Sequence, residues 1–275
     1  MSNYKLDDFL LTSFKETRET LQSFSQLLTD IKKTFYPHQK NWDEHSLSIY
    51  AKGLTTGTMP VSINGKLNTL DLNLNFYENK LKIFCSDERL SVDLLVQSPK
   101  SFAFEVTKIL NNLGIEYQLP KDKFDSDQIY YEKDQVINFW NTLKQVYFIF
   151  RKFQGGLLQE TSNINFWPHH FDLAMLVFSG KIIDGKDPND WSSSREQMNF
   201  GFSTGDDGIP EPYFYITAYP FDDELLKNEL PLNTYWHTKG WKGAVMKYND
   251  LVEVNAPDKV LLDFFNFVLN ICFNK

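Results

Sequence analysis

Between Asn199 and Tyr215 the chain reads NFGFSTGDDGIPEPYFY, and the side chains in this stretch could serve as a nucleophile, as metal ligands or as proton carriers. Ser203 lies in Gly201-Phe202-Ser203-Thr204-Gly205, the Gly-x-Ser-x-Gly spacing of a hydrolase nucleophile. That spacing works where a strand turns sharply into a helix, lifting the serine above a parallel sheet beside a backbone oxyanion hole. Here Pro210 and Pro212 follow, with no helical stripe. The pattern therefore predicts a glycine-rich turn in which Ser203 bonds locally. Ser203, then Glu211 or Asp222, then His237 still has the chain order of a triad, so a serine hydrolase stays open as an alternative.

The carboxylates offer a different chemistry. In NFWPHHFDLAMLVFSG, residues 165–180, strand geometry puts residues two apart on one face. His170 then points the same way as Asp172, while His169 shares the side of Phe171, Leu173 and Met175. An imidazole and a carboxylate on one face can ligate a divalent metal, or the carboxylate can orient the imidazole as a general base. Pro210 and Pro212 hold Glu211 extended. If this loop folds over the strand, His170, Asp172 and Glu211 form a catalytic or metal-binding set. Trp167, Asp206, Tyr213 and Tyr215 then line an acidic, aromatic pocket for a small molecule. A divalent metal is the one cofactor these side chains suggest. The competing reading is a non-enzymatic interaction or scaffold protein, in which the same residues are a structural polar network and the aromatics are core.

Other candidates carry less. In YAKGLTTGTMP, Thr55, Thr56 and Gly57 could offer hydroxyls and amides to an anion, but no helix follows in register and no Walker-type lysine is present. His38 and His45 flank a helix-to-strand connection and read as structural. His237 sits among aromatic residues with no acid close in sequence.

Composition excludes some partners. With 28 basic against 36 acidic side chains the formal charge is −8, and no basic run could neutralise several phosphates, so nucleic acid is not expected. Asp7 and Asp8 interrupt the start where a signal peptide needs apolar residues, and no apolar run reaches membrane-spanning length. A cytoplasmic protein with no membrane partner is the expectation, and the oligomeric state is left open. Cys85 and Cys272 stand far apart in apolar surroundings and read as buried thiols.

The elements that must position these residues follow from periodicity. Leu10, Phe14, Leu21, Phe24, Leu28, Ile31 and Phe35 form the stripe of a long helix that Pro37 ends. HSLSIYAKGL alternates as a strand. TLDLNLNFYENKLKIFCSD reads as a hairpin turning at Glu78-Asn79, and RLSVDLLV as a further strand. A helix opens at Ser98-Pro99. A second long helix spans about 133–153, with Phe139, Leu143, Val146, Phe150 and Phe153 on one stripe. Strands FDLAMLVFSG, MNFGFS, PYFYITAY and GAVMKY follow. The closing APDKVLLDFFNFVLNICF matches SPKSFAFEVTKILNNLGI in its proline and apolar spacing. This repeated order predicts an α+β fold of two similar halves by internal duplication, the first 1–120 and the second 121–275, the latter carrying the site. SGKIIDGKDPNDWSSSREQ reads as a long loop.

Together, HHFDLA, NFGFSTGDDGIPEPYFY and YAKGLTTGTMP resemble a family of soluble bacterial proteins of unknown function. Its His-Phe-Asp, Gly-Asp and Pro-Glu-Pro-Tyr signature falls on His170, Phe171, Asp172, Gly205, Asp206, Pro210, Glu211, Pro212 and Tyr213. The resemblance runs from about Trp42 to the last helix. It implies a bacterial, cytoplasmic protein and brings no activity with it.

Overall fold

The computed structural model describes residues 6–7, 11–121 and 123–273; Asp8 and Leu10 lie outside them. The fold is α+β, and the order of a long helix, an antiparallel sheet and a closing helix occurs twice along the chain. The chain forms two compact units, one of residues 12–140 with 165–171, the other of 1–11, 141–164 and 172–275.

In the unit built on residues 12–140, α1 (Leu11–Phe35) buries Phe14, Leu21, Phe24, Leu28 and Ile31 as its stripe requires. The strands are β1 (Ser48–Tyr50), β2 (Gly53–Thr55), β3 (Met59–Ile63), β4 (Lys66–Asn75), β5 (Lys80–Cys85) and β6 (Glu88–Asp93). Their order is β1-β2-β4-β5-β6, with β3 also on β4. HSLSIYAKGL is not one strand. The chain turns at Ala51-Lys52 and β1 pairs back on β2, because Gly53 lets the backbone pass close to β4; a Cβ there would lie 2.1 Å from the Leu74 carbonyl oxygen. Leu70, Leu72 and Leu74 alternate inward, while Asp71, Asn73 and Asn75 alternate to the other face. Helix α2 (Pro99–Asn112) starts as expected, with the Ser98 hydroxyl accepting the Ser101 N–H at 3.1 Å and Ser101 closing a reciprocal cap. Its Phe102 packs on Phe24 with ring centroids 4.2 Å apart.

Helix α3 (Lys133–Gly156) gives its first turns to this unit and the remainder to the other. Strand β7 (Asn165–Trp167) joins the first unit through paired 2.8 Å backbone bonds between Leu47 and Phe166. Phe171 then buries its ring against Phe139, at 5.2 Å.

The second unit holds β8 (Asp172–Ile182), α4 (Trp191–Ser194), β9 (Arg195–Ser203), β10 (Tyr213–Tyr219), β11 (Thr234–His237), β12 (Gly243–Lys247), α5 (Asn249–Val252) and α6 (Pro257–Phe273). Its strands run β11-β12-β10-β9-β8, all antiparallel. Phe150 and Phe153 of α3 and Phe265 of α6 cover one face, with Phe153 4.7 Å and Phe265 5.2 Å from Phe200. Each such ring contributes roughly 1.5–3 kcal/mol by burial. The segment expected to be a long loop is largely ordered: β8 continues to Ile182, α4 forms a turn of helix, and β9 begins at Arg195. Cys85 is buried and Cys272 is partly exposed, so only the first is the buried thiol expected. Among the described residues no helix is long and apolar enough to cross a membrane.

Candidate functional site

Strand alternation gives the second sheet two unlike faces. Leu173, Met175, Phe200, Phe202, Phe214 and Ile216 point into the core. The residues between them form three rows on the opposite face: Asp172, Ser203 and Tyr213; Ala174, Gly201 and Tyr215; Leu176, Asn199 and Thr217.

The middle row gives the glycine-rich stretch its purpose. A Cβ on Gly201 would lie 2.1 Å from Cζ of Tyr215 and 2.3 Å from its hydroxyl oxygen. Only a bare strand lets the Tyr215 ring lie across β9. Having crossed it, the Tyr215 hydroxyl donates to Oδ2 of Asp172, which is 6 % exposed. Burial first, then the Asp172 carboxylate, pushes the Tyr215 phenol well above its usual range, so it stays protonated. Its single proton goes to an acceptor-only carboxylate. Asn199, in the next row, acts on the phenol in the opposite direction and lowers it. Asn199 Oδ1 is buried with no hydrogen-bond partner among the described residues.

A second relay lies beside the first. Ser203 is the cross-strand partner of Tyr213, whose hydroxyl donates to Oδ2 of Asp206 at 2.5 Å. Asp206 Oδ1 accepts the N–H groups of Gly208 and Ile209 at 2.7 and 2.9 Å, so this carboxylate builds its own loop. Ser203 Oγ also accepts the Gly205 N–H at 3.1 Å. His237 is engaged away from the serine: its Nε2 is 2.7 Å from the Lys239 carbonyl and its ring lies 4.4 Å from that of Trp241. Nor does a helix follow the serine, since β9 leads through a loop to β10.

The other expected residues have separate engagements. Glu211 stands between its prolines as an ion pair with Lys247, Oε1 to Nζ 2.6 Å, partly open to solvent. His170 is not on a strand with Asp172. It lies in a turn closed by the Phe171 N–H to the Trp167 carbonyl at 2.8 Å, and β8 begins only at Asp172. Phe171 adopts φ 56° to bury its ring, and that left-handed residue breaks the period-two reading. Gln22 ties the turn down by donating to the carbonyls of Pro168 and His169 at 3.0 and 3.1 Å. His169 and His170 are both exposed, and Trp167 is half-buried with its ring edge-on to His169. Among the described residues no three His, Cys, Asp or Glu side chains gather as a metal-binding group.

The third row floors a groove of about 330 Å³. Asn199, Thr217 and Leu176 form the floor, and Gln197, Tyr219, Ser192 and Ser193 the walls. Asp190 holds α4 in place, accepting the hydroxyls of Ser192 and Ser193 at 2.8 and 2.5 Å, and these bonds keep its carboxyl below the usual range. The groove residues had a sequence signal. Gln197, Asn199 and Ser203, and Tyr213, Tyr215, Thr217 and Tyr219, alternate polar side chains with apolar ones over two consecutive strands.

The sequence matches the profile of a family of unknown function, DUF5996, over residues 7–272. The chain belongs to this family. Its span takes in both sheets and both rows of tyrosine relays. Neither the curated proteins nor the solved structures contain a match to the chain.

Proposed function

We propose that the protein binds a small, uncharged, hydroxyl-rich molecule in the groove over Asn199. The observation that carries this reading is the uncharged polar lining of the groove, where Asn199, Thr217, Gln197, Ser192 and Ser193 offer amides and hydroxyls. The side chains around it are hydroxyls and amides with no charge, and Tyr219, 39 % exposed, supplies a ring edge. That lining suits a polyol or sugar better than a charged metabolite. Binding is favoured over hydrolysis because His237 is engaged by the Lys239 carbonyl and no helix follows Ser203.

The test is saturation-transfer NMR with a panel of uncharged polyols, myo-inositol and glucose among them, at millimolar concentration. Transfer to at least one member should be seen with the parent protein and lost in Asn199→Leu. The absence of transfer to any polyol, or transfer unchanged in Asn199→Leu, refutes the reading.

A further inference from the structure

The unused face of the first sheet has the features of a second, chemically different site. Residues 71, 73 and 75 of β4 alternate away from the core, and register sets Asn73 opposite Lys82, Lys82 opposite Ser91, and Phe84 opposite Arg89. An antiparallel sheet commonly leaves such a face to water. This one is instead concave, enclosing about 570 Å³. Asn73 lies on its floor, only 8 % exposed, and its side-chain amide makes no hydrogen bond among the described residues. Its neighbour Asn75 shows what a satisfied amide looks like there: it donates to Glu78 Oε1 at 2.8 Å and accepts the Glu78 N–H at 3.1 Å. Asn73 thus presents an amide with no protein partner among the described residues to the open cavity, where a ligand or water can meet it.

The walls define the ligand. Lys52, Lys82 and Arg89 bring three positive charges, against the one carboxylate of Glu78. Glu78 bridges both lysines, at 3.3 and 2.6 Å, while Arg89 is exposed and forms no ion pair among the described residues. The nearby Asp71 is engaged by the Thr55 hydroxyl at 2.7 Å. With the Asp71 carboxylate counted as well, one positive charge is left over; it suits a monoanion, and the planar fork of Arg89 matches a carboxylate. Phe84, 39 % exposed, and Tyr50 offer ring faces at the same cavity. Burial first, then Glu78 and Asp71, pushes the Tyr50 phenol up, so it is a neutral donor.

We propose that this concave face binds a small aromatic carboxylate, its anion on Arg89 and Lys82, its ring against Phe84 and Tyr50, and its polar edge on Asn73. The test uses three naphthalene probes that share a ring and differ in charge: 1-naphthoate, 1-naphthamide and 1-naphthylmethylamine. Their affinities for the full chain are read by calorimetry and ligand-observed NMR. Naphthoate should bind at least about tenfold more tightly than either of the others. Arg89→Gln, an exposed substitution that leaves the core alone, should weaken naphthoate several-fold and leave naphthamide unchanged. Asn73→Leu should weaken the probe, with an unfolding midpoint near that of the parent as the check on folding. Equal affinity for naphthoate and naphthamide, naphthoate binding untouched by Arg89→Gln, or no binding of naphthoate at millimolar concentration overturns the assignment.

Discussion

Gly201→Ala isolates the contact on which the second sheet's polar face depends. The new methyl would stand 2.1 Å from Cζ of Tyr215, far inside van der Waals contact, and the ring is pinned between β9 and its neighbours Tyr213 and Trp241, both 6.1 Å away. The ring must leave. That loses the hydrogen bond to Asp172, worth about 1.5–3 kcal/mol for a bond to a charged group, and part of the burial of a tyrosine, roughly another 1.5–2 kcal/mol. The total is about 3–5 kcal/mol, although glycine to alanine in a strand would otherwise gain roughly 0.5–1 kcal/mol. Net of that gain, urea unfolding followed by near-UV circular dichroism reads this as a midpoint lowered by roughly 0.7–1.5 M at an m-value of about 3 kcal/mol/M. A second background decides the cause. With Tyr215→Ala already present, Gly201→Ala should be neutral or stabilising, because nothing is left to clash. A cost below about 0.5 kcal/mol in the parent, or the same cost in both backgrounds, would refute the reasoning.

Tyr215 also makes a prediction about alkaline pH. Its phenol is raised above the ordinary value of 10.0 in the folded protein, so its contribution to stability is whole below that pH and is lost as pH rises beyond it. Absorbance titration of native Tyr215→Phe should lose no phenolate signal near pH 10 relative to the parent, and its stability should fall less steeply above that pH. A tyrosine missing from the native titration near 10 would contradict the assigned pair. Glu211→Gln should cost under about 1 kcal/mol in the same urea assay, as expected for a partly exposed ion pair with Lys247. A loss of several kcal/mol would mean that Glu211 belongs to the buried network after all.

Much of the site was legible because side chains alternate along a strand. The sequence marked Asp172, Tyr213, Tyr215 and Asp206 as residues to watch, and the structure joins them as two tyrosine–carboxylate pairs. It did not mark Asn199 or Thr217, although they obey the same alternation, because uncharged amides and hydroxyls carry no chemical signal until a groove is seen to gather them. Gly201 was read as backbone freedom for a turn. Its φ is ordinary, and its importance is the space above it.

What the sequence determined by itself was local. Apolar periodicity specified the long helices, Ser98-Pro99 specified the start of α2, and Glu78-Asn79 specified the turn between β4 and β5. Those signals come from steric and hydrogen-bonding preferences within a few residues. The tertiary structure decided which residues meet. The left-handed Phe171 put His170 in a turn rather than beside Asp172, the hairpin at Ala51-Lys52 split an expected strand, and Lys247 captured Glu211. Each outcome depends on a partner distant in the chain, the ring of Phe139, the backbone of β4 or an ammonium on β12, and no spacing within a short stretch of sequence can encode it.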